Sequence, residues 1–464
     1  MIPSDVLSRR AFVRQACCAA VGTTGMLSAL GQLRVIGAVA GDGLPGRAAS
    51  LPADYKALVC IFLNGGNDAN NLIIPADATS YAAYARARSE LSIRRTDLLP
   101  ITSTKYSDGR SYALHPSVPG LQTLYSQGKV AVLANVGTLV RPTTLADYRA
   151  GRNLPPQLFS HNDQTMQWQS SIPDRPFETG WGGRLADLLD AMNSNNQVSM
   201  SITLSGTNSF QRGTKVAQFA TSSAGPARLQ TGGSIGFPAD VAGVVRGIFN
   251  DTEPNTLAAA FGNIMLETIT DGEALSAALA NASPLATVFP GSSMASSLSM
   301  VAKLISVSQS LGLKRQVFYV SANGYDLHGG QTDGHGPLLA ELSAAMKAFY
   351  DATVELGVAN QVTTFTASDF GRTYIPNSGG TDHGWGNHQL IMGGAVQGGD
   401  IYGRMPSLTV NADDDVGRGR WIPSTSVDEY NATLATWFGV SATNLPVVLP
   451  NIGRFAKPNL GFMG

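Results

Sequence analysis

The chain has 464 residues, 43% of them hydrophobic and only 14% charged, with 32 basic against 33 acidic side chains. That balance excludes a polyanionic partner such as nucleic acid, and the length is ample for a large hydrophobic core. With 51 glycines and 24 prolines, the chain must also contain many tight turns, as a loop-rich α/β protein does.

The N-terminus has the layout of an export signal. In "LSRRAFVRQACCAAVGTTGMLSALGQLRVIGAVAGDG", Arg9 and Arg10 precede a weakly apolar Ala/Gly-rich run, which leads to Ala38-Val39-Ala40, an A-x-A cleavage site. This order predicts a twin-arginine signal over residues 1–40, a linker over 41–54, and a periplasmic or secreted mature protein. The run is too mild for a permanent membrane helix, which needs about 20 consecutive apolar residues. No integral membrane segment is therefore expected after signal removal. Cys17 and Cys18 leave with the signal and no lipobox-like stretch surrounds them. Cys60, in "ALVCIFL", is then alone and cannot form an intramolecular disulfide.

From residue 55 onward, strands alternate with helices. "KALVCIFLNGGND" (56–68) reads as a buried strand ending in a Gly-rich turn, and "SYAAYARARSEL" (80–91) as a helix. Residues 120–139 form a helix followed by the strand "VAVLANVG", 159–171 a loop entering a helix, 181–193 a helix, and 198–206 a strand. Residues 205–240 are polar and Gly/Ser-rich, an excursion from the main fold, and long helices are predicted over 256–283 and 292–313. The strand "RQVFYVS" then enters a loop, 338–358 is an amphipathic helix, "QVTTFTA" is a strand entering a loop, "HQLIMGGAV" is a strand, and 426–440 is a helix. The alternation predicts an α/β fold: a three-layer αβα sandwich around a central mixed, mostly parallel sheet. One domain over 55–464, with a helical and loop insertion around 200–300, is the economical organisation.

Ligands in such sheets bind beyond the carboxyl ends of the strands. After "VCIFL" come Asn64-Gly65-Gly66-Asn67-Asp68, and after "VFYVS" come Asp326 and His328, then Asp333 and His335. After "TTFTA" come Ser368-Asp369-Phe370-Gly371-Arg372, and the loop "GGTDHGWGNHQ" then carries Asp382, His383 and His388. Ser160-His161-Asn162-Asp163 follows "VAVLANVG". Of the six histidines, five thus follow predicted strand ends and none falls in a predicted long helix. His115, in "ALHPSVPGL", stands apart and is expected to cap a turn.

Asp and His together form a mixed oxygen and nitrogen donor set, suited to zinc, manganese or iron more than to calcium. One or two divalent ions are expected, since two ions roughly 3.5–4 Å apart can clamp both oxygens of a displacement. "GGSIG" (232–236) matches the G-x-S-x-G pattern, but it lacks the flanking strand and helix that a nucleophile elbow requires.

The motifs "FLNGGNDANNLIIP", "LFSHNDQ", "GYDLHGGQ", "SDFGRT", "GTDHGWGNHQLIMGGAVQGGDIYG" and "GRGRWIPSTSVDEYNATLATWFGV" together resemble the bacterial DUF1501 family, exported proteins related to the alkaline phosphatase and sulfatase superfamily. The resemblance implies an alkaline-phosphatase-like fold and a metal-dependent hydrolase of phosphate or sulfate esters, acting on a small-molecule or polymer substrate. A non-catalytic metal-stabilised scaffold or binding protein of the same fold is the alternative. By the same resemblance Asp68, Asp326, His328, Asp369 and His383 or His388 bind metal. Ser160 is the nucleophile, with Thr143 and Thr144 as rivals. His161 joins it in the catalytic set, and Arg372 neutralises substrate charge. The sequence departs from the superfamily at Asn64, where an Asp is usual, and at Phe370, where a metal-binding His is usual. The Cys-x-Pro-x-Arg sulfatase signature is absent.

Overall fold

The computed structural model describes residues 54–194, 198–226, 243, 246, 247, 249 and 256–464. The export signal and the "GGSIG" stretch lie outside the described residues. The strands are β1 Lys56–Leu63, β2 Ile73–Pro75, β3 Leu99–Ile101, β4 Tyr112–Leu114, β5 Val130–Gly137 and β6 Ser201–Thr203, then β7 Gln218–Ala220, β8 Arg315–Ala322, β9 Val362–Ser368, β10 Asn387–Gly393, β11 Ile401–Gly403 and β12 Thr425–Ser426. The helices are α1 Ala78–Arg88, α2 Pro119–Ser126, α3 Leu145–Arg149, α4 His161–Ser170 and α5 Trp181–Leu189, then α6 Thr256–Ala280, α7 Ser293–Ser306, α8 Gln331–Glu355, α9 Val427–Phe438 and α10 Leu445–Val448.

Nine strands form the central sheet in the order β11-β5-β10-β9-β1-β8-β6-β7, with β12 added alongside β5. Every pairing is parallel except those of β10 with β5 and β9. Only β10, therefore, runs against the rest, and the sheet is mixed but mostly parallel, as the alternating pattern predicted. Strands β5, β9 and β10 are buried along their whole length, and β1 is exposed only partly and only at Lys56. A strand buried on both faces needs cover from both sides, which helices supply in a three-layer arrangement. Residues from β1, β5, β8 and β9 and from helices α5, α7, α8 and α9 share one continuous core. Cys60 is a free, buried thiol within it.

Three elements differ from the sequence expectation. Residues 218–220, within the polar excursion, form the edge strand β7, because edge pairing requires backbone groups rather than an apolar run. A small antiparallel sheet, β2-β4-β3, holds the segment between β1 and α2. Helix α8 begins at Gln331, not near residue 338, so His335 lies inside a helix and is buried. The helix includes Pro337 as its seventh residue, beyond the first turn, where the missing N–H leaves the Asp333 carbonyl without its i+4 helical donor. Among the described residues no helix is long and apolar enough to cross a membrane.

Candidate metal centre

Strands β1, β8 and β9 end in register, with Leu63 opposite both Ala322 and Ser368. The residues that follow them therefore emerge at one edge. Gly65 turns the chain at φ +112°, and a Cβ there would lie 2.4 Å from the Asp326 nitrogen. At Gly66, a Cβ would meet the Phe370 ring at 2.7 Å. Only glycine lets these three loops approach so closely.

Because β10 runs antiparallel to β9, the loop between them returns to the same edge. Residues 371–373 and 382–384 clip together there: Thr373 N–H donates to the Asp382 carbonyl at 2.9 Å and Gly384 N–H to the Gly371 carbonyl at 2.7 Å. Thr381 N–H reaches the Leu327 carbonyl at 3.0 Å and ties this clip to the loop after β8. His161 arrives from a fourth direction as the first residue of α4.

These loops converge on the Asp326 carboxylate. Its Oδ1 lies 3.0 Å from His328 Nε2 and 3.4 Å from His383 Nε2, and its Oδ2 lies 3.3 Å from His161 Nε2. His328 Nε2 and His383 Nε2 are 2.9 Å apart. The opposite ring nitrogens all face oxygen acceptors. His161 Nδ1 is 2.7 Å from Asp369 Oδ2, His383 Nδ1 is 2.7 Å from the Phe159 carbonyl, and His328 Nδ1 is 3.4 Å from Asp382 Oδ1.

A carbonyl or carboxylate oxygen accepts and does not donate, so these partners place the ring N–H on Nδ1. The neutral ring then presents its Nε2 lone pair inward, the arrangement seen around metal-bound histidines. His161 Nε2 is buried and has no hydrogen-bond partner, which marks it as an atom waiting for a ligand. Donors bonded to one tetrahedral ion at 2.0–2.1 Å stand roughly 3.3 Å apart, close to the separations around Asp326. The donor atoms of His161, Asp326 and His383 all lie within 4.8 Å of one another. The residues present thus fit a divalent cation of the zinc, manganese or iron(II) class.

The electrostatics agree. Burial would raise the Asp326 pKa, but the hydrogen bond and charge of Arg372 and the charges of His161 and His328 outweigh it and hold the carboxyl below its ordinary range. At Asp382, burial is likewise outweighed by Asn377, Arg418 and His328. Burial lowers His383, favouring the neutral ring that a metal ligand requires.

The gathering expected from sequence is real for Asp326, His328, Asp369, His383 and His161, but not for the rest. Asp369 stands behind His161, with Oδ1 accepting Gly65 N–H at 3.1 Å and Oδ2 facing His161 Nδ1. Asp68 points elsewhere, into a buried ion pair with Arg88 and a hydrogen bond from Gln331. His388 lies within β10, where its Nδ1 accepts Asn135 N–H at 3.0 Å across a register shift between Asn387 and Gln389. The shift leaves that N–H without its regular ladder partner, which gives His388 a structural task. His115 accepts Ser117 N–H at 3.1 Å and caps its turn.

Arg372 is fully buried and donates to the Gly65 carbonyl, Asp326 and Thr381. It neutralises a carboxylate of the protein and does not face solvent. Ser160 precedes α4 and donates to Asp163 Oδ2 at 2.5 Å. Thr144 caps α3 in a capping box with Asp147, and Thr143 donates to the Arg141 carbonyl at 2.9 Å.

A cavity of about 670 Å³ opens beside the centre, with His161, Asp326 and Asp369 in its wall. The wall also carries the carboxamides of Asn64, Asn162 and Asn323 and the Thr165 hydroxyl, and no lysine or arginine. Sequence reading missed Thr165, although it stands four positions after His161 and so shares its helix face. It also overlooked Phe159, whose φ of +71° is a strained setting worth about 1–3 kcal/mol and aims its carbonyl at His383.

The DUF1501 family model, described as "Protein of unknown function", matches residues 282–444, the stretch that carries the motifs from "GYDLHGGQ" onward, and so bears out the resemblance there. A comparison with curated proteins gives no match. Among solved structures, Ps i-CgsB in complex with k-i-k-neocarrahexaose is 11% identical, with 87% of this chain and 77% of that chain covered and a TM-score of 0.35. The PsFucS1 sulfatase from Pseudoalteromonas sp. is 9% identical, with 85% and 69% covered and a TM-score of 0.33. The lipoteichoic acid synthase LtaP from Listeria monocytogenes is 9% identical, with 87% and 78% covered and a TM-score of 0.33. Likeness this distant carries no residue role or activity to this chain.

Proposed function

We propose that this DUF1501 chain is an exported, metal-dependent hydrolase of phosphate or sulfate esters. The observation that carries the metal reading is the convergence of three Nε2 atoms on Asp326, each ring backed by an oxygen acceptor. When bound, a divalent cation would act as a Lewis acid on the ester oxygens. His161, Asp326, His328 and His383 would hold it. Arg372 keeps Asp326 ionised, and Asp369 and the Phe159 carbonyl fix the tautomers of His161 and His383. Ser160 would attack phosphorus or sulfur while its proton passes to Asp163, with which it already shares a 2.5 Å hydrogen bond. The proton passes on from Asp163 to the ester oxygen, which leaves as the alcohol, and water then releases phosphate or sulfate from Ser160. The amide-bearing part of the cavity wall, formed by Asn64, Asn162 and Asn323, would receive the alcohol half of the ester.

A second reading, a metal-stabilised binding protein without turnover, is favoured by one specific feature. The two polar groups assigned to substrate, Ser160 and Arg372, are both occupied by protein partners. Metal analysis together with aryl phosphate and aryl sulfate substrates separates the readings. Turnover that needs metal and falls on Ser160→Ala supports the hydrolase. Bound metal without turnover supports the binding protein. Export itself is tested by replacing Arg9 and Arg10 with lysines and following processing after Ala40.

A further inference from the structure

We infer that the centre takes a single divalent cation, and that Asp369 and Asp382 serve as outer partners that orient its imidazoles. The inference rests on the metal reading above and goes beyond it in stoichiometry and in the roles of these two carboxylates. It also narrows the expectation of one or two ions drawn from the sequence.

The argument follows the remaining donors at this edge of the sheet. Asp369 has both oxygens engaged, one by Gly65 N–H and one by His161, and its side chain is only 4% exposed. Asp382 is shared among Asn377, Arg418 and His328. Asp68 is neutralised by Arg88, and His388 is occupied by Asn135 within the sheet. Asp68 Oδ1 stays buried without a hydrogen-bond partner, but among the described residues the group of three or more donors close enough to share one ion is His161, Asp326 and His383.

On the side away from solvent, the space against the His161 and His383 rings is filled by Phe370. The fully buried Phe370 ring lies 4.7 Å from the His161 ring and 4.6 Å from the His383 ring, centroid to centroid. Gly66 closes on the phenyl ring from the other direction, so near that a Cβ would overlap it. A hydrocarbon ring offers no donor, and its packing against both imidazoles fixes their spacing. One ion is what these side chains can serve.

The test is titration of chelator-stripped full-length protein with cobalt(II), read by visible ligand-field absorbance and by equilibrium dialysis. One equivalent is expected, and His161→Ala and His383→Ala are each expected to lose essentially all of the tight binding. Asp369→Asn is expected to keep the one-equivalent endpoint with affinity lowered about 10–100-fold, and Asp382→Asn to act in the same direction. Two equivalents in the parent protein, with one kept by each histidine variant, would overturn the inference and leave the metal reading standing. Absence of binding would overturn both. Unchanged affinity in Asp369→Asn, in a variant with native circular dichroism, would remove the orienting role.

Discussion

His328 Nε2 and His383 Nε2 stand 2.9 Å apart although 55 positions separate them in the chain. His383 has its other nitrogen committed to the Phe159 carbonyl, so its inward atom carries a lone pair. Two such lone pairs face each other comfortably only with a proton or a cation between them.

Replacing His328 with Ala is therefore expected to weaken metal binding by roughly tenfold or more, at least what loss of an outer partner costs. His115→Ala and His388→Ala should keep full metal content, since both rings serve the backbone elsewhere. Competition with a chromophoric chelator measures all three. Equal affinities would remove His328 from the site.

Asp68 and Arg88 are expected to govern stability, not metal. The pair is buried, at 3% and 0% side-chain exposure, and Gln331 shares the carboxylate. Burial would raise the Asp68 pKa, but the charges of Arg88 and His335 and the hydrogen bonds it accepts outweigh it. Arg88→Ala leaves a buried carboxylate without its cation and should cost about 3–5 kcal/mol in denaturant unfolding. Metal content per folded molecule should stay the same, and a parallel loss of metal would show that the two networks are coupled.

Acid should destabilise the fold through three buried imidazoles. Burial lowers His115, His335 and His388 from 6.5 to about 4. Above pH 6.5 these rings are neutral in both states and impose no penalty. As pH falls from 6.5 toward 4, the unfolded rings gain protons and the folded ones do not, so stability falls through that window and levels off below it. Thermal melts from pH 8 to pH 4 check this, and His388→Gln should flatten part of the slope. A parent protein equally stable at pH 7 and pH 4.5 would contradict it.

Asp428 should act with the opposite sign. It is buried in the first turn of α9, and burial lifts its carboxyl to about 8 despite the opposing charge of Arg184. The folded state keeps this proton up to that pH, while the unfolded state releases it near its ordinary 3.8. Asp428 therefore costs stability increasingly as pH rises from about 4 to 8. Asp428→Asn is expected to be more stable than the parent by a margin that grows across this range. A margin constant with pH would mean that the carboxyl is ionised in the fold.

The sequence by itself determined the layers and the edge at which chemistry is placed. Apolar runs such as "ALVCIFL" and "VAVLANVG" can be stable only as strands covered on both faces, and polar residues just beyond them must lie at the strand ends. Asp326, His328, Asp369 and His383 were legible for that reason. Tertiary structure decided which of the gathered groups meet. Asp68 and Asp326 both follow strands at the same edge, yet Gly65 turns the first chain so that Asp68 faces Arg88 and Asp326 faces three imidazoles. His388 and His383 share one short stretch, but the β10 boundary falls between them and sends one into the sheet and the other toward Asp326. Side-chain direction at a strand end depends on the φ, ψ of a few loop residues and on the partner that captures each polar atom. Local composition does not encode either, because the partner is supplied by a distant segment, 263 positions away for Gln331 and Asp68 and 304 for Gly65 and Asp369.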